Sequence, residues 1–191
     1  MKITAYKLLL ASNSPRREEL LRGIDIDFEI KVLTDIDESY PSDLPIEEVA
    51  EFVAQKKAIS YTNLLKEDEL MITADTVVIL DGKIYGKPNN KEEAKEMLLA
   101  LSGKTHRVIS GVCLTSTKKQ VSFSATSEVE FEHLTDHEIE YYIERYSPFD
   151  KAGAYGVQEW IGYIGVKHIN GSYFNIMGLP IQRLYRELIS F

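Results

Sequence analysis

Cysteine is nearly missing from this chain. Cys113 stands alone among 191 residues, so no internal disulfide can form and a reducing compartment is the simplest reading. No apolar run approaches the ~18 residues a membrane span needs, and nothing at the start reads as a signal peptide, so a cytoplasmic protein with no membrane partner is expected. Basic residues are also scarce. Lys and Arg number 22 against 30 Asp and Glu, and the net charge of −8 argues against long-range attraction to nucleic acid. Any anion site must therefore be a local cluster. The six prolines and eleven glycines never gather into a linker, and repeats and low-complexity tracts are absent, so one domain, or one domain of two lobes sharing a sheet, is expected. The four histidines have no metal-ligand spacing. There is no Walker loop, no dinucleotide glycine fingerprint and no nucleophile elbow around a serine. A triphosphate bound here would be held by dispersed basic side chains.

What the chain does have is an apolar stretch running from Tyr6 straight into Ala11-Ser-Asn-Ser-Pro-Arg-Arg17. Ser14 suits a helix N-cap and Pro15 the first helical position, where a missing N–H costs nothing. Arg16 and Arg17 then fall in the first turn, where cations oppose the helix dipole unless something negative binds. With free backbone N–H groups and the hydroxyls of Ser12 and Ser14, they point to a phosphate.

Strand and helix patterns alternate along the rest. A strand at 7–11 leads to a helix at 15–22 that Gly23 stops. A helix begun by Pro45 runs over 45–65 with Ile46, Val49, Ala50 and Val53 as its inward stripe. A strand at 71–80 meets the Asp81-Gly82 hairpin signal, and Asn90 with Glu93 makes a capping box for a helix running to Gly103. Strands are expected at about 106–116 and 121–133, then a helix capped by Thr135 and Glu138 with Ile139, Tyr142 and Ile143 inward. Pro148 to Gln158 is a glycine-bearing loop, Asn170-Gly171 a hairpin turn between 161–169 and 172–177, and the end a helix. The fold class expected is α/β, with a mixed central sheet flanked by helices and two lobes around a cleft.

Two residues break these patterns. Asp75 interrupts an apolar, β-branched strand, where a carboxylate is costly unless paired or metal-bound; Thr73 and Thr76 add hydroxyls nearby. Lys57 lies on the inward stripe of the 45–65 helix, one turn beyond Val53, where a hydrophobe is due. Asp37 and Glu38 offer loop carboxylates, and Lys87 sits on a rigid turn between Gly86 and Pro88.

Taken together, Ala11-Ser-Asn-Ser-Pro-Arg-Arg17, Ala74-Asp-Thr-Val-Val78, Gly86-Lys-Pro88, Leu101-Ser-Gly-Lys-Thr-His106, Asp150-Lys-Ala-Gly-Ala-Tyr-Gly-Val-Gln158, Asn170-Gly-Ser-Tyr173 and Met177-Gly-Leu-Pro180 closely resemble the Maf family of nucleoside triphosphate pyrophosphatases. The loop ending at Gln158 is similar to that of the branch acting on dTTP and UTP. The resemblance implies a nucleotide cleft, cleavage of dTTP and UTP (or modified pyrimidine triphosphates) to the monophosphate and pyrophosphate, a Mg or Mn ion, and a homodimer. It places the catalytic acid at Asp75, specificity at Arg16, Thr76 and Gln158, and supporting charges at Arg17, Glu38, Lys57 and Lys87. With Ser12, the residues Arg16, Arg17, Lys57 and Lys87 would bind phosphate, and Glu38 and Asp75 would bind the metal. Two positions depart from the family pattern: Ser147-Pro148 stands where Glu-Pro is usual, and Glu159 replaces a glycine, which stiffens the loop or alters base selection. A purine-directed pyrophosphatase and a nucleotide-binding regulator of septum formation are the alternatives.

Overall fold

The computed structural model describes residues 4–34 and 36–191. Strand β1 (Lys7–Leu10) pairs in parallel with β2 (Phe28–Ile30) and with β3 (Glu69–Leu80). After it come β4 (Lys83–Tyr85), β5 (Thr105–Thr115), β6 (Gln120–Phe131) and β7 (Val166–Asn170). The seven-stranded sheet has the order β2-β1-β3-β5-β6-β7, with β4 on β3. Parallel β1–β3 pairing and antiparallel β3–β4 and β6–β7 pairing make it the mixed sheet expected. Among the described residues no helix is long and apolar enough to cross a membrane.

The chain divides into two compact units, with three boundaries falling inside β3, β5 and β6 and a fourth between Met177 and Gly178. The first holds the residues up to Asp75, Ser110–Ala125 and Gly178–Phe191. Here α2 (Val49–Tyr61) buries Val49, Ala50, Val53, Ala54, Ala58 and Tyr61, with single 3-10 turns before it at Ile46–Glu48 and after it at Thr62–Leu64. Ile46, expected on the inward stripe, is only half-buried in the preceding turn. Three alanines on the buried side let the helix backbone lie close to the sheet. At Gly111 of β5 an added Cβ would come within 2.3 Å of the Ala50 carbonyl carbon, so this packing needs glycine. The C-terminal helix α7 (Ile181–Ser190) buries Ile181, Leu184 and Leu188, an i, i+3, i+7 stripe.

The second unit holds Thr76–Ile109 and Thr126–Met177. Asp81 (φ 51°) and Gly82 (φ 72°) both adopt left-handed backbone in the two-residue turn that pairs Leu80 with Lys83, as a type I′ hairpin requires. Helix α3 (Lys91–Leu101) starts with the Asn90 side chain accepting the Glu93 N–H at 2.8 Å. The expected reciprocal bond is displaced by one residue: the Glu93 carboxylate accepts from the Asn89 N–H and Nδ2. The helix also ends at Leu101, two residues before Gly103. Helix α4 (Asp136–Tyr146) has the full capping box of Thr135 and Glu138 and buries Ile139, Tyr142 and Ile143 as expected.

The expected hairpin over 161–177 does not form. Residues Trp160–Gly165 make a short helix, α5, and Tyr173–Ile176 another, α6, with β7 between them paired to β6. Two local features decide this. At Gly162 a Cβ would sit 1.9 Å from the Val157 carbonyl oxygen, so the chain folds tightly back there instead of extending. Beyond the Asn170-Gly171 turn, Ser172 accepts the Asn175 N–H and starts a helix.

Candidate active site

In the first unit, β1 runs into helix α1 (Pro15–Arg22) with Pro15 at its first turn. Ser14 occupies the N-cap position in extended backbone, but its side chain makes no capping bond; its N–H instead donates to Ser12 Oγ at 3.2 Å. Gly23 ends the helix in right-handed backbone, and the left-handed turn comes two residues later at Asp25. Ser12 is buried. Arg17 turns back over this segment: its Nε donates to the Gly178 carbonyl at 2.8 Å and its NH1 to the Ala74 carbonyl at 3.0 Å and Ser12 Oγ at 3.4 Å. Burial lowers the guanidinium pKa, and the charge of Asp75 opposes that shift. Arg17 thus braces the backbone next to Asp75 as well as adding charge. Arg16, half-buried, lies beside it in the same turn.

Lys57 does point inward. Its side chain is 12% exposed, and its Nζ lies 2.8 Å from Asp75 Oδ1 and 3.2 Å from Glu38 Oε1. Asp75 is itself 18% exposed, so the carboxylate that breaks the β3 pattern and the lysine that breaks the α2 pattern answer each other. Loop chemistry separates the two acids at 37 and 38. Asp37 bonds Lys56 Nζ at 2.7 Å and the Ser39 N–H, which hold its carboxyl well below the usual range. That leaves Glu38 to reach Lys57. Thr73 is not part of this cluster: its hydroxyl donates to the Ala54 carbonyl at 2.7 Å and joins α2 to β3.

The second unit carries the remaining predicted residues. Thr76 is half-buried and follows Asp75 directly along β3. Lys87 is exposed on its turn, and that turn is tied to the 150–158 loop because the Gly86 carbonyl accepts the Gly153 N–H at 3.0 Å. Within the loop, Gly153 (φ 68°) and Ala154 (φ 59°) adopt left-handed backbone in succession. Tyr155 is anchored from below by His106 Nε2, 2.8 Å from its hydroxyl, with Phe131 edge-on to both rings. Burial pushes the His106 imidazole down to about 4, so it is neutral near pH 7, and pushes the Tyr155 phenol up. Gln158 is half-buried, and its Oε1 is buried without a hydrogen-bond donor among the described residues.

Three residues with no role in the sequence reading hold this loop. Lys151 Nζ lies 2.7 Å from Asp150 Oδ1 and 3.1 Å from Glu159 Oε1, with its side chain 8% exposed. The Tyr142 hydroxyl donates to Glu159 Oε2 in a short bond and accepts the Gly156 N–H at 3.0 Å. Tyr142 fits the apolar period of α4, so its hydroxyl gave no signal. Glu159 was visible only as a departure from the family pattern.

The family model for Maf-like proteins matches residues 7–191. The chain belongs to the Maf family. The dTTP/UTP pyrophosphatase of Bacteroides thetaiotaomicron is 58% identical over 183 residues, covering 96% of this chain and 95% of that protein. That of Phocaeicola vulgatus is 60% identical with the same coverage, and that of Flavobacterium johnsoniae 44% identical over 187 residues, covering 98% and 96%. The Maf motifs fall on the clusters described: Ala74-Asp-Thr on the Lys57 pairing, Met177-Gly-Leu-Pro180 on the acceptor of Arg17, and Asp150-Lys-Ala-Gly on the Lys151 and Gln158 loop. Among the described residues no group of three or more His, Cys, Asp or Glu side chains could hold a metal ion, so Glu38 and Asp75 are two carboxylates without a third.

Proposed function

We propose that this chain hydrolyses dTTP and UTP between the α- and β-phosphates, releasing the nucleoside monophosphate and pyrophosphate. The observation that carries the reading is the largely buried Lys57 ammonium facing Asp75 and Glu38. The substrate class comes from near full-length relatives named as dTTP/UTP pyrophosphatases.

Attack of water at phosphorus with pyrophosphate leaving is mostly a matter of positioning and charge neutralisation. Asp75 accepts the proton of the attacking water or helps hold a metal ion. Lys57 and Arg17 fix the direction of its carboxylate and the backbone at Ala74, and supply positive charge to the phosphates. Ser12, Arg16 and Lys87 are assigned further phosphate contacts. Two carboxylates are an oxygen donor set that suits Mg²⁺ or Mn²⁺, since Mg²⁺ takes few protein ligands and keeps several waters. Glu38 and Asp75 would hold it, and the ion would neutralise charge on the phosphate oxygens.

Gln158 is assigned the base edge, with Arg16 and Thr76 as further specificity positions. An acceptor atom buried without a donor is costly. The N3–H of uracil or thymine would satisfy Gln158 Oε1 while its NH₂ donates to O4. A panel of nucleoside triphosphates with Mg²⁺, read by pyrophosphate release, tests the reading: UTP and dTTP should be the best substrates, and a preference for GTP or ITP would overturn it.

A further inference from the structure

The Lys151, Glu159 and Tyr142 cluster has more bonds than a surface loop needs. Glu159 begins helix α5 as its N-cap residue, yet its side chain does not cap that helix. It turns the other way, one oxygen to the Tyr142 hydroxyl and the other to Lys151. Its backbone N–H donates to the Gly156 carbonyl at 3.0 Å, and its carbonyl accepts the Gly162 N–H at 2.9 Å. The anchor itself is firm: Tyr142 sits in the doubly capped helix α4, stacked on Tyr146 and buried between Ile139 and Ile143.

Gly156 links this cluster to Gln158. A Cβ at position 156 would lie 2.8 Å from Glu159 Cδ and 3.0 Å from Gln158 Nε2. The two side chains therefore lie over the same bare Cα, which a side chain would occupy. The Tyr142 hydroxyl holds the N–H of that same residue. Glu159 and Gly156 are tied to the same Tyr142 hydroxyl, and the Gln158 amide lies beside them over Gly156.

We infer that Glu159, clamped by Tyr142 and Lys151, is a positioning residue that sets the orientation of the Gln158 amide and so the choice of base. The inference rests on the base-reading role proposed for Gln158. A clamp of this kind acts on orientation: without it the amide samples several directions, and the loss appears in recognition of the cognate base rather than in the chemical step.

The test is steady-state kinetics with UTP and GTP on Glu159→Ala, Tyr142→Phe and Glu159→Gln, each also made on a Gln158→Ala background. Glu159→Ala and Tyr142→Phe should raise KM for UTP by about tenfold, leave kcat within about twofold, and lower the UTP-to-GTP ratio of kcat/KM. Glu159→Gln keeps an acceptor for Tyr142 and should recover most of that ratio. On the Gln158→Ala background the same changes should leave the ratio unmoved, because the group they orient is gone. If Gln158→Ala alone shifts the ratio and the Glu159 and Tyr142 variants do not, the positioning role is overturned and base reading stands. If Gln158→Ala alone leaves the ratio unchanged, base reading fails and takes the positioning role with it. Equal losses for every nucleotide in Tyr142→Phe, the variant that removes one hydroxyl and keeps the ring packing, would mark the cluster as merely structural and overturn the inference.

Discussion

Each unit of the molecule contains a nearly buried lysine between two carboxylates, and the two arrangements match almost number for number. Lys57 has Asp75 at 2.8 Å and Glu38 at 3.2 Å; Lys151 has Asp150 at 2.7 Å and Glu159 at 3.1 Å. In each the inner carboxylate is mostly covered, 18% exposed for Asp75 and 20% for Glu159, while the outer one is half-exposed. The surroundings differ. Glu159 also accepts the Tyr142 hydroxyl, so both its oxygens have partners within the fold. Among the described residues Asp75 is bonded through a single oxygen, to a lysine that is itself shared with a loop glutamate. Similar ion-pair geometry thus leaves Glu159 with fewer open acceptor sites than Asp75, which fits a brace in one unit and the proton or metal site proposed above in the other.

The sharpest break in that comparison is at the inner carboxylates. Asp75→Asn should lower kcat by ~10²–10⁴, the scale of losing a general base, while the melting temperature stays near wild type. Unchanged kcat in a pyrophosphate-release assay would make Asp75 as structural as Glu159. Next come the lysines. Lys151→Met leaves Glu159 without its charge partner and should cost roughly 3 kcal/mol by urea denaturation, within the range for breaking a buried pair. Lys57→Met should slow all accepted nucleotides by similar factors, because a cation on the phosphates carries no base information. A Lys151→Met variant that slowed them just as much with no loss of stability would erase the difference between brace and site.

Acid provides the third test, since a buried imidazole was found only in the second unit among the described residues. The folded His106 pKa, about 4, lies below its ordinary value of 6.5. Between these values the unfolded chain binds the proton and the folded chain does not. The contribution is complete above pH 6.5 and is lost as pH falls towards 4, about 2 kcal/mol being gone at pH 5. His106→Gln should flatten that part of the pH dependence of the urea midpoint. The last test is at Gln158: its change to Ala should cost ~1–3 kcal/mol in kcat/KM for UTP and dTTP, and much less for purine substrates.

Sequence was informative where polarity contradicted a period. Lys57 on an apolar helix stripe and Asp75 in an apolar strand were visible for that reason, and the structure pairs them. Asp37 and Glu38 looked equivalent because nothing in a loop sequence says which acid Lys56 will take. Lys151 sits in an aperiodic loop, where burial leaves no pattern, and the hydroxyl of Tyr142 is invisible in an apolar stripe that tyrosine fits. The sheet was legible from strand length and the Asp81-Gly82 turn, whereas the region after Gln158 was not. There the outcome depends on Gly162 meeting the Val157 carbonyl, a close approach that no periodicity announces, and on Ser172 capping forward, a local signal masked by the Asn170-Gly171 hairpin pattern before it.

Arg17 bonds Gly178, 161 positions further along the chain. During synthesis, then, the arginine emerges from the ribosome well before the acceptor it will bond. The first unit also needs α7 to cover its apolar surface, so a nascent chain stalled before residue 178 has Asp75 and Lys57 but neither the carbonyl that locks Arg17 nor the helix that closes the core. The first unit should consequently resist proteolysis only once residues 178–190 have been added, a step that limited proteolysis of stalled nascent chains would read.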